Sequence, residues 1–198
     1  MLNQAFGKCG VESEHAKGEN MSCTAALPYI KDGISIYNLT SRTQTAFYLF
    51  TLAKGSENLS YNTAVFSNET GKGTRAMMTA KQLHAFLKDS SEVLKAHPEL
   101  EEYAKKDFNE ADNDGQNKTL TVLKEDKYTF LPGAWWIRQG ADSMYAGCKG
   151  FAANLTNKIT MEQFDKIDKQ CMMPTVLEGR RETFRKAFDA IKCGSSKS

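Results

Sequence analysis

Apolar positions along this chain recur at helical spacing in several runs, and polar stretches separate those runs. In "TAALPYIKDGISIYNLT", residues 24–40, Leu27, Ile30, Ile34 and Tyr37 share one face, and Pro28 sits near the first turn, where helices tolerate it. "SRTQTAFYLFTLAKG" follows. Ser41 is placed to cap it, Ala46, Leu49, Phe50 and Ala53 make a stripe, and Phe47 and Leu52 cover much of the remainder. A helix apolar almost all round is buried on most sides, and Gly55 is a natural stop, so this segment predicts the central helix of the fold.

Residues 56–79 lose the period and predict a loop or a short irregular hairpin around "NETGKG". Helices resume in "TAKQLHAFLKDS" and in "SEVLKAHPELEEYAKKDF", the latter interrupted at Pro98. "NEADNDGQNKT" predicts a polar surface loop. "PGAWWIRQGADSMYAG" predicts a helix with Trp136, Ile137, Ala141 and Met144 inward, and "TMEQFDKIDKQCM" lines up Phe164, Ile167 and Cys171. "GRRETFRKAFDAIKC" is the cleanest amphipathic run, through Phe184, Ala187, Phe188 and Ile191. The first two dozen residues are polar and bracketed by Cys9 and Cys23, which predicts an arm tied down rather than a helix. The expected organisation is an arm over residues 1–23, one mainly α domain with a buried central helix over 24–193, and a disordered tail at 194–198.

Composition narrows the function classes. The 198 residues suit one domain with a proper core, and a formal charge of +2 gives no argument for nucleic acid or an anionic membrane. No apolar run approaches the length of a bilayer span. The start "MLNQAFGKCG" lacks a signal-peptide core, so Met1 is either a native cytosolic start or a start placed after a removed leader. Two features favour the second. Glycosylation acceptor triplets begin at Asn20, Asn38, Asn58, Asn68, Asn117 and Asn154. The five cysteines show no Cys-x-x-Cys spacing and read as disulfide staples with one left over. Cys148–Cys171 and Cys9–Cys23 are the expected pairs, leaving Cys193 unpaired; a rearrangement tying Cys193 to the arm competes with this. The expected protein is secreted and monomeric.

Few motifs look like chemistry. An EF-hand alignment on Gly115 puts Glu110, Asp112 and Asp114 on ligand positions, but Thr121 stands where a bidentate Glu is needed, so a solvated turn is the better reading. In "ETGKGTR", Ser67 occupies the first-glycine position of a phosphate loop and Lys72 is followed by Gly73, which rejects that motif. His15, His84 and His97 have no ligand spacing, so neither metal nor cofactor is expected. Trp135 and Trp136 fit a sugar-stacking platform, although core plus rim is the commoner use of such a pair.

The order "CTAALPYIKDGISIYNLTSRTQTAFYLFTLA", "LSYN", "GKGTRAM" and "GAWWI", with late cysteines, resembles secreted fungal proteins of the lysozyme-like superfamily, from about Cys23 to Cys193. The resemblance implies a lysozyme-like α fold with a small β part. It also implies a general acid in a Glu-Ser-Gly triplet at the end of the central helix, and a cleft wall in the Gly-x-Gly-Thr-Arg loop. Carried onto this chain, the substrate-binding candidates are Tyr61, Asn62, Thr74, Arg75, Trp135 and Trp136. The acid position departs from the pattern, because the triplet here reads Gly55-Ser56-Glu57. Two residues along a helix turn a carboxylate to nearly the opposite face. Glu69 is the nearby candidate for a second carboxylate, and a glycan on Asn58 would crowd the cleft.

The leading expectation is therefore a protein degenerate in catalysis that binds a polysaccharide or a host protein, as an effector does. The alternative is an active glycosidase or lytic enzyme on chitin- or peptidoglycan-type polymers with Glu57 as general acid. A third reading is a helical structural module without a cleft. A groove beside Gly55, lined by Tyr61, Arg75 and Trp135 or Trp136, would separate the first two from the third.

Overall fold

The computed structural model describes residues 2–65, 67–172 and 178–191; the tail expected at 194–198 and Cys193 lie outside the described residues. The chain is mainly helical. In order come α1 (Leu2–Phe6), α2 (Cys23–Ile36), α3 (Arg42–Gly55), α4 (Ala80–Asp89), α5 (Ser91–Ala96) and α6 (Glu101–Lys105). Then follow α7 (Asn113–Leu123), α8 (Leu131–Trp135), α9 (Ala141–Met144), α10 (Phe151–Asn154), α11 (Met161–Ile167) and α12 (Arg180–Ala190). No strand forms among the described residues; the small β part is limited to two isolated antiparallel bridges, Thr63 with Gly73 and Gly73 with Met78. None of the described helices is long and apolar enough to cross a membrane.

α3 is the axis of the core, and every side chain from Thr43 to Ala53 is buried. Its start is fixed by a capping box: the Ser41 hydroxyl accepts the Gln44 N–H at 3.0 Å while the Gln44 side chain accepts the Ser41 N–H at 3.1 Å. α12 lies along α3 and drives Phe184 into a ring cluster, 4.7 Å from Phe47 and 4.4 Å from Phe164 between centroids. α2 packs over α8. There Gly33 is required, because a Cβ would stand 2.6 Å from the Tyr48 hydroxyl, which donates to the Phe130 carbonyl at 3.1 Å.

Three segments differ from their sequence patterns. The arm opens with α1, whose Leu2, Ala5 and Phe6 are buried against α3 and α12. Five residues are too few to display a helical period. The stretch expected as a polar loop becomes α7, begun by the Asp112 side chain accepting the Gly115 N–H at 3.1 Å. Its buried face is partly polar. Gln116 is 4% exposed and donates to the carbonyls of Asn109 and Glu110. The long Trp helix is also broken, since Trp136–Gly140 widens into a π-turn between α8 and α9.

Both expected disulfides form. Cys9–Cys23 closes the arm onto the start of α2, and Cys148–Cys171 ties the turn after α9 to the π-turn that extends α11, with Cα atoms 5.3 and 5.6 Å apart. Each contributes on the order of 2–4 kcal/mol, chiefly by restricting the unfolded chain.

Candidate functional site

The end of α3 opens into a cleft of about 830 Å³. One wall is α3 itself with the turn that follows it, through Thr51, Lys54, Gly55, Glu57 and Asn58. The 69–79 loop supplies Glu69, Lys72, Ala76 and Met77. Tyr145, Met172 and the first turn of α12, with Arg180 and Thr183, complete it.

The geometry of the helix end follows from hydrogen bonding. Ser56 is the C-cap, and its hydroxyl donates to the Leu52 carbonyl at 2.7 Å and accepts the Leu59 N–H at 2.9 Å. The Asn58 N–H bonds back to the Ala53 carbonyl at 2.8 Å, six residues to one, and Glu57 between them has φ +47°. This is a Schellman stop with Glu57 at the left-handed position that glycine normally fills. The left-handed conformation persists through Asn58 and Leu59 at φ +57° and +71°. Thr74 and Met77 on the facing loop also have positive φ, +66° and +52°. Strained backbone is thus concentrated on both sides of the cleft.

Gly55, where the resemblance puts an acid, is a point of close approach. A Cβ there would stand 2.7 Å from the Ala76 carbonyl carbon, 2.8 Å from its oxygen and 3.0 Å from the Arg75 oxygen. These are backbone atoms. Glu57 reaches the cleft from its lip and is solvent-exposed, without the apolar surroundings that a general acid near neutral pH relies on. Glu69 lines the same cleft and pairs with Lys72 at 3.2 Å. Arg180 is committed to Asp168 by two bonds of 2.6 Å, with its guanidinium over the Phe50 ring.

The other candidates lie elsewhere. Arg75 is 2% exposed and spends its guanidinium on three backbone carbonyls: Leu59 at 3.1 Å, Tyr61 at 2.9 Å and Glu19 at 2.6 Å. Burial pushes its pKa down to about 10, against the charges of Asp126 and Glu19, so it remains a cation. Thr74 is fully buried. Asn62 is buried too, with its side chain bridging the Lys124 carbonyl and the Thr129 hydroxyl. Asn62 and Arg75 border a separate cavity of about 460 Å³ with Glu19, Lys124 and Asp126. The Tyr61 hydroxyl meets that of Ser13 in the arm at 3.0 Å. These four residues fasten the 59–75 segment and the arm; none lines the cleft beside Gly55.

Trp135 and Trp136 do not form a platform. They are 0% and 2% exposed, and their indole N–H groups donate to Asp89 at 2.9 Å and to the Cys171 carbonyl at 3.1 Å. The aromatic side chain that lines the cleft is Tyr145, packed edge-on to Trp136 at 5.6 Å. Sequence reasoning missed it, together with Arg180 and Thr183, because those residues reach the end of α3 from more than 80 positions away. Among the described residues no group of three His, Cys, Asp or Glu is placed to hold a metal ion. Asp112 caps α7 and Asp114 pairs with Lys118. Of the glycosylation acceptors, Asn20, Asn38, Asn68, Asn117 and Asn154 are exposed and Asn58 is half-buried. No protein-family model, curated protein or solved structure matches this chain.

Proposed function

We propose that this chain is a secreted, lysozyme-like helical protein that binds a glycan in the cleft at the end of α3 without cleaving it. The observation that carries the reading is the position of the cleft. It lies where a buried central helix ends, and hydroxyl, amide and charged groups line it beside Tyr145, a mixture suited to sugar hydroxyls and ring faces. The left-handed backbone at Glu57 adds support, since it suits the glycine that ends the Glu-Ser-Gly triplet of the resembled family. Absence of cleavage is supported by Gly55, whose surroundings leave no room for a side chain. Two disulfides and five exposed acceptor asparagines support secretion.

A second reading, an active glycosidase, is favoured by one observation: Glu57 and Glu69 line the same cleft. One experiment separates them. Calorimetric binding of N-acetylglucosamine hexamer and of peptidoglycan fragments is measured alongside release of reducing ends, for the wild type, Glu57→Gln, Glu69→Gln and Thr183→Trp. Among the described residues the Thr183 side chain bonds only to Gly179 at the start of its own helix, so the indole fills the cleft without removing a tertiary bond seen there. The expected result is binding that weakens at least tenfold in Thr183→Trp, with no reducing ends from any form. Reducing ends abolished by Glu57→Gln would establish the enzyme. Binding of neither glycan by protein made without N-linked sugars would overturn the glycan reading and turn the search to a host protein.

A further inference from the structure

We propose that the protein carries an N-linked glycan on Asn58 that hangs over the cleft and closes it to other glycans. The proposal rests on the reading of the chain as secreted and of the cleft as a glycan site.

Among the six acceptor triplets, Asn58-Leu59-Ser60 is the one whose asparagine lines the cleft. Its backbone is held at both ends. The N–H donates to Ala53 at 2.8 Å, and the carbonyl accepts the Gly10 N–H at 2.8 Å. The stem of any sugar on Asn58 is therefore fixed at the lip. The side-chain amide makes no hydrogen bond among the described residues, whereas that of Asn20 donates to the Gly10 carbonyl at 3.1 Å. Modification at Asn58 thus breaks no side-chain hydrogen bond among the described residues.

The transfer is ordinary N-glycosylation from a polyprenyl-diphosphate oligosaccharide. The Asn58 Nδ2 forms a bond to C1 of the first sugar and gives up one proton. The C1–O bond to the diphosphate breaks, and its electrons leave with the diphosphate. Once attached, the glycan faces the cleft at an effective concentration on the order of millimolar, well above a free oligosaccharide supplied at micromolar levels. The tethered sugars then hold the cleft. Asn68, next to Glu69 on the facing loop, is a second acceptor near the mouth, but its side chain is exposed and does not line the cleft.

The test uses the full chain from a eukaryotic secretory host and, as the unmodified reference, from the bacterial periplasm. Glycopeptide mass spectrometry reads occupancy of Asn58, and calorimetry reads affinity for N-acetylglucosamine hexamer. Occupied Asn58 is expected, with affinity at least tenfold below that of the bacterial protein. Ser60→Ala, which destroys the acceptor triplet and keeps the Asn58 side chain in the cleft, should restore it in the secretory host. Asn117→Gln, on α7 away from the cleft, should restore nothing. An unmodified Asn58, or equal affinities from the two hosts, overturns the proposal. If the bacterial protein itself ignores the hexamer, the glycan-site reading and the closing role fall together, while the mass spectrum still decides the modification.

Discussion

Replacing Gly55 with alanine tests what the end of α3 is built for. A methyl group at Gly55 would lie 2.7 Å from the Ala76 carbonyl carbon, whereas ordinary contacts begin near 3.4 Å, so the loop must retreat by roughly 0.7 Å. Two effects oppose each other. Alanine gains up to about 1 kcal/mol over glycine in a helix, less at a last residue such as this one. Overpacking against groups that cannot rotate away costs about 1–3 kcal/mol. The obstructing atoms are backbone, in a loop already strained at Thr74 and Met77, which puts the cost toward the upper end. The expected net loss is about 1–2 kcal/mol. For a chain of this size that lowers Tm by roughly 2–8 °C.

Urea titration at fixed pH, with differential scanning calorimetry beside it, measures the change. Gly55→Glu should be less stable still, and it should release no reducing ends from chitin oligomers, since its carboxylate arrives with a displaced wall. A Gly55→Ala protein as stable as the wild type, or more stable, would refute the close-approach argument. It would reopen the view that Gly55 is simply a vacated acid position.

Two further outcomes follow from the same region. Glu57→Gly should raise the urea midpoint, because relief of the left-handed conformation is worth about 1–2 kcal/mol and the added freedom of glycine takes back about 0.5–1. Glu57→Ala keeps the strain, so an equal gain there would point to charge instead. Glu19 gives a pH dependence. Burial raises its pKa, but bonds from the Thr63 hydroxyl and the Asn62 and Thr63 N–H groups, with the charge of Lys124, bring it below its usual 4.5. Its contribution is then full above pH 4.5 and is lost as pH falls through the lower folded value. The stability gap between wild type and Glu19→Gln should therefore close on acidification and be level between pH 6 and 7.

The sequence made α3 plain because hydrophobicity on all sides, a capping residue and a terminal glycine agree there. α7 was hidden because it buries Gln116 and Thr119, whose polarity argues for solvent; the bonds of Gln116 to the Asn109 and Glu110 carbonyls are visible only in the fold. The candidate site divides in the same way. Gly55, Glu57 and Glu69 were legible as a local departure from a pattern, and they do lie together. Thr74, Arg75 and Asn62 stood as binding candidates through the resemblance, and for Arg75 and Asn62 the groups that satisfy buried carbonyls are the same groups that would hold a substrate. Only burial tells them apart. Tyr145 and Arg180 carry no local signal, since what brings them to the cleft is the Cys148–Cys171 bridge and the docking of α12 on α3.

The Gly55-Ser56-Glu57 triplet involves more than one position. The loop that presses on Gly55 is the loop that carries Arg75, and the Arg75 guanidinium holds the carbonyls of Leu59, Tyr61 and Glu19. A side chain at Gly55 that pushes residues 75–76 outward also pulls on those three bonds. They anchor the left-handed turn after α3 and the arm closed by Cys9–Cys23. Each such bond from a charged donor is worth about 1.5–3 kcal/mol when intact, comparable with the clash itself. Placing an acid at position 55 therefore asks the loop, the turn and the arm to move together. That coupling keeps a side chain out of position 55 and leaves Glu57 at the lip and Glu69 on the facing loop as carboxylates that line this cleft.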